Sequence, residues 1–178
     1  MYAFQLWREF KLSLAEIHQC FPKTEIEYIS KNICILNSQD KAEILKKAAH
    51  IWGTIKIIEL IEWYRGKPEY SILDIAEKHE GKFAYGLSVL WSDKALKTLL
   101  METKKVLKVK GVSSRFVNKN FQNLSSAQII WENLVKRWSD FTLVVAGDME
   151  YFGKTVWVQE LIGLAGRRWV SGTCTAER

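Results

Sequence analysis

The stretch Glu25-Ile-Glu-Tyr-Ile-Ser30, Lys31-Asn32, Ile33-Cys-Ile-Leu-Asn37 decides the fold. Two β-rich runs flank a short polar link, which is how a β-hairpin is written. β-Branched and aromatic residues suit the pleated surface, and the link lets the chain turn back. Upstream, Tyr2-Ala-Phe-Gln-Leu6 reads as a strand. Ser13-Leu-Ala-Glu16 reads as a helix start, because the serine oxygen can accept from the N3 amide and the glutamate can reach back. Leu14, Ile17 and Phe21 line one side of that helix, and Pro22 stops it. Downstream, Asn37-Ser-Gln-Asp40 caps a second helix through Ile44, Leu45, Ala48 and Ala49, and Gly53 ends it. Thr54–Trp63 sets Ile55 and Ile57 against Lys56, then adds Ile58, Leu60 and Ile61. That is a strand with both faces at least partly covered. The order is β-α-β-β-α-β, the ferredoxin-like unit, ending near Arg65-Gly66-Lys67-Pro68.

Beyond that boundary the pattern becomes α-β-α-β-α-β-β. A helix covers Ser71–Lys78, and Lys82–Leu90 is a strand with Phe83, Tyr85, Leu87 and Val89 on one face. Ser92 or Asp93 caps a long helix to about Lys110, with Ala95, Leu96, Leu99, Leu100 and Val106 inward and Gly111 as its stop. Ser114–Asn118 is a short strand, and Ser125 caps a helix carrying Ile129, Ile130, Leu134 and Trp138. Phe141–Ala146 and Gly153–Glu160 are strands on either side of a Gly147-Asp148 turn. Strands alternating with helices imply a partly parallel sheet. The expected chain is therefore α/β (α+β): a ferredoxin-like domain over 1–66, a second α/β domain with a mixed sheet over 67–162, and a tail over 163–178 outside both. The tail has no Lys, Ile or Asn but three of the seven arginines, whereas the first 162 residues hold all 19 lysines. So abrupt a change reads as coding sequence in another frame or a truncated gene, the alternative being a short idiosyncratic tail.

At 48% hydrophobic and 26% charged, the 178 residues exclude a disordered, collagen-like or coiled-coil chain. No apolar run approaches the ~20 residues of a membrane helix, and the opening residues do not form a secretory signal. Cys20, Cys34 and Cys174 are too widely spaced for a disulfide framework or a zinc site, so a cytoplasmic location is expected. His18, His50 and His79 are scattered, and no metal-binding, phosphate-loop or nucleophile-elbow motif is present. Acid pairs such as Glu25/Glu27, Glu59/Glu62 and Asp148/Glu150 read as solvent-facing. Of the eight tryptophans, Trp63, Trp91, Trp131, Trp138 and Trp157 fall in predicted elements. Most are expected in the core, with base stacking open to any that is exposed.

Charge is the informative feature. Residues 94–119 carry eight basic side chains against the single acid Glu102. Such an imbalance marks a polyanion footprint or a solvated helix face. Lys104, Lys105, Lys108, Lys110 and Arg115 would capture RNA electrostatically, with Lys119 on the following loop. Ser125, Ser126 and Gln128, at a helix start whose amides bind phosphate, would recognise the RNA end; N-capping is the simpler role for one of the serines.

Several pieces together resemble the non-catalytic N-terminal half of tRNA guanosine-N2 methyltransferases that carry a THUMP domain. They are Leu-Ser-Leu-Ala-Glu-Ile (12–17), Ile-Trp-Gly-Thr-Ile-Lys-Ile (51–57), Phe-Ala-Tyr-Gly-Leu-Ser (83–88), Leu-Ser-Ser-Ala-Gln (124–128) and Tyr-Phe-Gly-Lys-Thr-Val-Trp-Val-Gln (151–159). The resemblance covers about residues 2–160. It implies a ferredoxin-like unit followed by a THUMP-like α/β domain that docks the single-stranded 3′ end of tRNA. In that family S-adenosylmethionine and an Asp/Asn-Pro-Pro-Tyr motif belong to a following Rossmann-like domain. No residues here match either one, so the chain alone is expected to be inactive and to hold no cofactor. Its expected partners are tRNA and a separate methyltransferase domain, with no membrane. A protein–protein adaptor and one subunit of a split methyltransferase are the alternatives.

Overall fold

The computed structural model describes residues 1–159 apart from 8, 23, 31, 39, 64–66 and 91–95. The tail over 163–178, the Ser92/Asp93 cap and the boundary at 65–66 lie outside the described residues, as does Trp91. The chain forms a mixed α/β fold. Its elements are β1 (Tyr2–Leu6), α1 (Phe10–Cys20), β2 (Glu25–Ser30), β3 (Ile33–Asn37), α2 (Lys41–Ala48), β4 (Thr54–Trp63), α3 (Pro68–Ala76), β5 (Phe83–Leu90), α4 (Leu96–Val109), β6 (Ser114–Phe116), α5 (Ser126–Trp131), β7 (Asp140–Ala146) and β8 (Met149–Val158). Both element orders expected from the sequence are present.

All eight strands among the described residues join one sheet in the order β2-β3-β1-β4-β8-β7-β5-β6. The first four pair antiparallel throughout, as a ferredoxin-like unit requires. At the other end β5 runs parallel to both β6 and β7. Between them β8 pairs antiparallel with β4 on one side and β7 on the other. The last of the described strands, β8, thus carries the sheet from one half to the other.

Side chains alternate between the two faces of a strand, and register partners share a face. Pairing therefore puts Tyr2, Glu59, Lys154 and Phe141 on one face. Four helices cover that face. In the first half, Phe4, Ile17, Phe21, Leu36, Ile44 and Ile57 form one buried cluster, with α1 and α2 over the strands. In the second half, Ile72, Phe83, Tyr85, Leu100, Phe141 and Phe152 form another beneath α3 and α4. Phe141 and Phe152 stack with centroids 5.6 Å apart. Each such buried side chain contributes about 1.5–3 kcal/mol. The short α5 covers the opposite face, where Ile129 and Leu134 pack with Ala84 and Val158.

Three local expectations are corrected. Ser13 does not cap α1, which begins three residues earlier at Phe10. Instead Ser13 is buried inside the helix and its Oγ donates to Glu9 O at 3.1 Å. Glu16, read as its reciprocal partner, accepts from Gly53 N at 2.7 Å. Gly53 lies so close to α1 that a Cβ there would stand 2.6 Å from Ser13 Cβ. The third helix starts at Pro68, three residues before the expected Ser71, with proline in the first turn where its missing N–H is no loss. The helix from Ser125 stops at Trp131, short of Leu134 and Trp138, because Asn133 turns left-handed at φ 54°.

Candidate nucleic-acid interface

Helix α4 buries Leu99, Leu100, Thr103 and Leu107 and turns its lysines outward. It ends in a Schellman motif: Val112 N donates to Leu107 O and Gly111 N to Lys108 O, with Gly111 at φ 75°. Lysines in the last turn also complement the negative end of the helix dipole. Lys104, Lys105, Lys108, Lys110 and Lys119 are exposed, and among the described residues none of them has a carboxylate partner.

Four of the lysines divide into two sets. Lys97 and Lys104 lie seven residues apart, on one stripe of the helix. Lys97 Nζ stands 5.4 Å from the Phe121 ring centroid and Lys104 Nζ 5.5 Å from that of Phe116. The two rings are themselves 6.0 Å apart. Lys105 and Lys110 instead line a groove of about 500 Å³ between α3 and α4, together with Lys67, Tyr70 and Glu102.

The loop after β6 is held by two asparagines. Asn118 Oδ1 accepts from Leu87 N and its Nδ2 donates to Leu87 O, while Asn123 makes the same pair of bonds with Val89. Between them Asn120 and Phe121 adopt left-handed φ values of 52° and 53°. This leaves Phe121 exposed under Lys97. Phe116 and Phe121 were not among the residues singled out from sequence. The available signal was two aromatics flanking an Asn-containing turn at the end of the basic segment.

Arg115 alternates away from Phe116. Its Nη2 donates to Glu132 Oε2 at 2.6 Å, at the C-terminal end of α5. Ser125 and Gln128 form a full capping box: Gln128 N donates to Ser125 Oγ at 3.3 Å, and Ser125 N donates to Gln128 Oε1 at 3.0 Å. Ser126 opens α5 behind that cap. Lysines and helix start are therefore on opposite faces of the sheet, α4 on one and α5 on the other, with the edge strand β6 between them.

The expectation that most tryptophans are core fails for those described. Trp131 is 86% exposed and Trp138 45%, and Trp7 and Trp52 are exposed as well. Glu59 is partly exposed, and its carboxylate is engaged by Lys41 at 2.8 Å rather than left to solvent alone. Among the described residues no group of three or more His, Cys, Asp or Glu side chains gathers, and no helix is long and apolar enough to cross a membrane.

No protein-family model and no curated protein matches the sequence. Among solved structures, TrmN from Thermus thermophilus is similar, with a TM-score of 0.49 and 9% identity over 89% of this chain. The chain spans 46% of that structure, about half its length.

Proposed function

We propose that this chain is the RNA-docking part of a tRNA-modifying assembly. It is a THUMP-like module that receives the single-stranded 3′ end of a tRNA on the outer face of α4 and the edge strand β6. Another domain or subunit, carrying S-adenosylmethionine, performs the methyl transfer. The observation that carries this reading is the set of exposed, carboxylate-free lysines on α4 and its exit, of which Lys104 lies beside Phe116, while Lys97 of the same stripe lies beside Phe121. An ammonium group without a carboxylate partner neutralises a phosphate without first losing an ion pair, and each phosphate neutralised releases counterions. An exposed ring framed by cations is a stacking platform for an unpaired base.

Arg115 contributes less, since it must leave Glu132. Ser125 and Gln128 already satisfy each other, so their end of α5 offers only backbone amides and the Ser126 hydroxyl. The test is filter binding of tRNA to the full chain at increasing salt. Steep weakening with salt is the expected result, about one unit of log–log slope for each phosphate contacted. A flat salt profile contradicts the proposal.

One feature favours protein docking as a second reading. A groove of about 580 Å³ between residues 49–52 and α5 is lined by Trp52, Ile129, Ile130 and Trp157. Sedimentation of the chain without RNA distinguishes a self-associating adaptor from a monomeric RNA module.

A further inference from the structure

A second cluster of cations around an aromatic ring lies away from α4, between α2, β4, β8 and the segment before β7. Lys41 opens α2, Glu59 lies in β4, Lys154 in β8, and Trp138 just before β7. Both ammonium groups converge on Glu59 Oε2, Lys41 at 2.8 Å and Lys154 at 3.5 Å. Both also stand over the Trp138 indole, 4.2 Å and 4.3 Å from its centroid. Trp138 has a left-handed φ of 56° and an exposed ring. For a residue with a side chain that backbone is costly and persists only where the surroundings enforce it. Asp40, beside Lys41, turns its carboxylate to the Glu43 amide at 2.9 Å. Lys136 and Arg137, which precede Trp138, are exposed. Two ammonium groups on one carboxylate oxygen leave a positive charge over, beside a partly exposed indole.

We infer that this seam is a nucleotide site, in which a base stacks on Trp138 and the adjoining phosphate bridges Lys41 and Lys154. The strand concerned is the one that crosses α4, so the inference rests on RNA as the partner proposed above. Topology places the two surfaces at one end of the sheet. Strands β5, β6 and β7 are parallel, α4 returns to the start of β6, and Trp138 stands before the start of β7. Lys108, Lys110 and Trp138 therefore lie at the same end of the sheet. Lys154 pairs with Phe141, so it shares the face that α4 covers. A base that displaces one ammonium group from the ring replaces a cation–π contact with stacking, and the displaced ammonium moves to the phosphate.

The test is fluorescence anisotropy of a labelled eight-nucleotide single-stranded RNA with the full chain. Trp138→Ala is expected to weaken binding roughly tenfold. Trp138→Phe, which keeps a ring, stays within about threefold. An abasic oligomer of the same length binds wild type and Trp138→Ala alike. RNA quenches intrinsic fluorescence in the wild type more than in Trp138→Phe, a readout that a purely structural tryptophan would not give. Unchanged RNA affinity in a folded Trp138→Ala, with Lys104→Glu/Lys108→Glu impaired, overturns the seam site and leaves the α4 surface standing. The opposite pattern, loss at Trp138 with normal binding by the α4 double variant, overturns the α4 surface and keeps the seam. If adenosine monophosphate alone quenches Trp138 at the concentration that saturates with RNA, the site takes free nucleotides and the continuous strand is wrong.

Discussion

Lys56 of β4 donates to Asp140 Oδ2 of β7 at 3.2 Å, although 84 residues separate them and β8 runs between their strands. Both side chains are almost fully buried. Lys56 also donates to Thr142 Oγ1 at 2.9 Å, and Thr155 Oγ1 donates to the same Asp140 oxygen. The pair ties the ferredoxin-like strands, across β8, to the parallel strands on its other side. Removing one partner leaves a buried charge uncompensated, so Asp140→Ala is expected to lose about 3–5 kcal/mol. Lys56→Met combined with Asp140→Leu, apolar on both sides, should be more stable than the Asp140→Ala single variant. Urea unfolding measures both. A loss under about 1 kcal/mol for Asp140→Ala would show that the pair does not clamp the halves.

Charge reversal on the exposed stripe of α4 separates RNA docking from stability. Lys104→Glu/Lys108→Glu is expected to weaken tRNA binding by an order of magnitude or more and to reduce the salt slope by about two units. Its melting temperature should fall only modestly, because neither lysine has an ion-pair partner to lose and the cost is confined to an acid near the negative end of the helix dipole and one cation–π contact.

Arg115 is expected to behave differently from its lysine neighbours. Its pair with Glu132 is partly exposed, so Arg115→Ala changes stability by no more than about 1 kcal/mol. Being already engaged, Arg115 also contributes less to RNA affinity than Lys104 does. Side-by-side tRNA titrations of the two alanine variants check the order.

Burial by itself would raise the Glu59 carboxyl, but the hydrogen bond from Lys41 and the charge of Lys154 outweigh it and hold the group below the usual carboxylate range. A depressed folded value means that the stabilisation is present above the unfolded carboxylate range and is lost as pH falls through the folded value. Glu59→Gln should therefore be less stable than the wild type at pH 7, by under about 1 kcal/mol for so accessible a group. The two should converge in acid. Urea midpoints from pH 7 downward give the comparison, and a constant difference at every pH counts against the Lys41–Glu59–Lys154 cluster.

Most of the element order is readable locally. The Ile- and Tyr-rich runs about Lys31-Asn32, the Asp40 cap and the Gly111 stop all act within a few residues, and the structure uses the Asp40 and Gly111 signals as expected. Long-range effects are not readable in this way. Ser13-Leu-Ala-Glu16 has the spacing of a capping box, yet Glu16 is taken by Gly53, 37 residues away. The alternation of Thr54–Trp63 announces two covered faces, but not that Lys56 is buried against Asp140. Helical spacing extends naturally from Ile129 to Leu134 and Trp138, and nothing local says that Asn133 will turn left-handed and leave Trp138 outside. At the interface, the basic segment is plain in composition. Its division between Phe116/Phe121 and the α3 groove, and its separation from Ser125 by the sheet, depend on which face each crossover helix takes.

The central claim, that RNA lies across the lysine face of α4 and the β6 edge, is tested most directly by ultraviolet cross-linking of tRNA to the full chain with mapping of the linked peptides. The expected cross-links fall on peptides from residues 97–123, with Phe121 foremost, and on the peptide that carries Trp138. Cross-links confined to the α1 and α2 helices, or to the Trp52 groove, would contradict it.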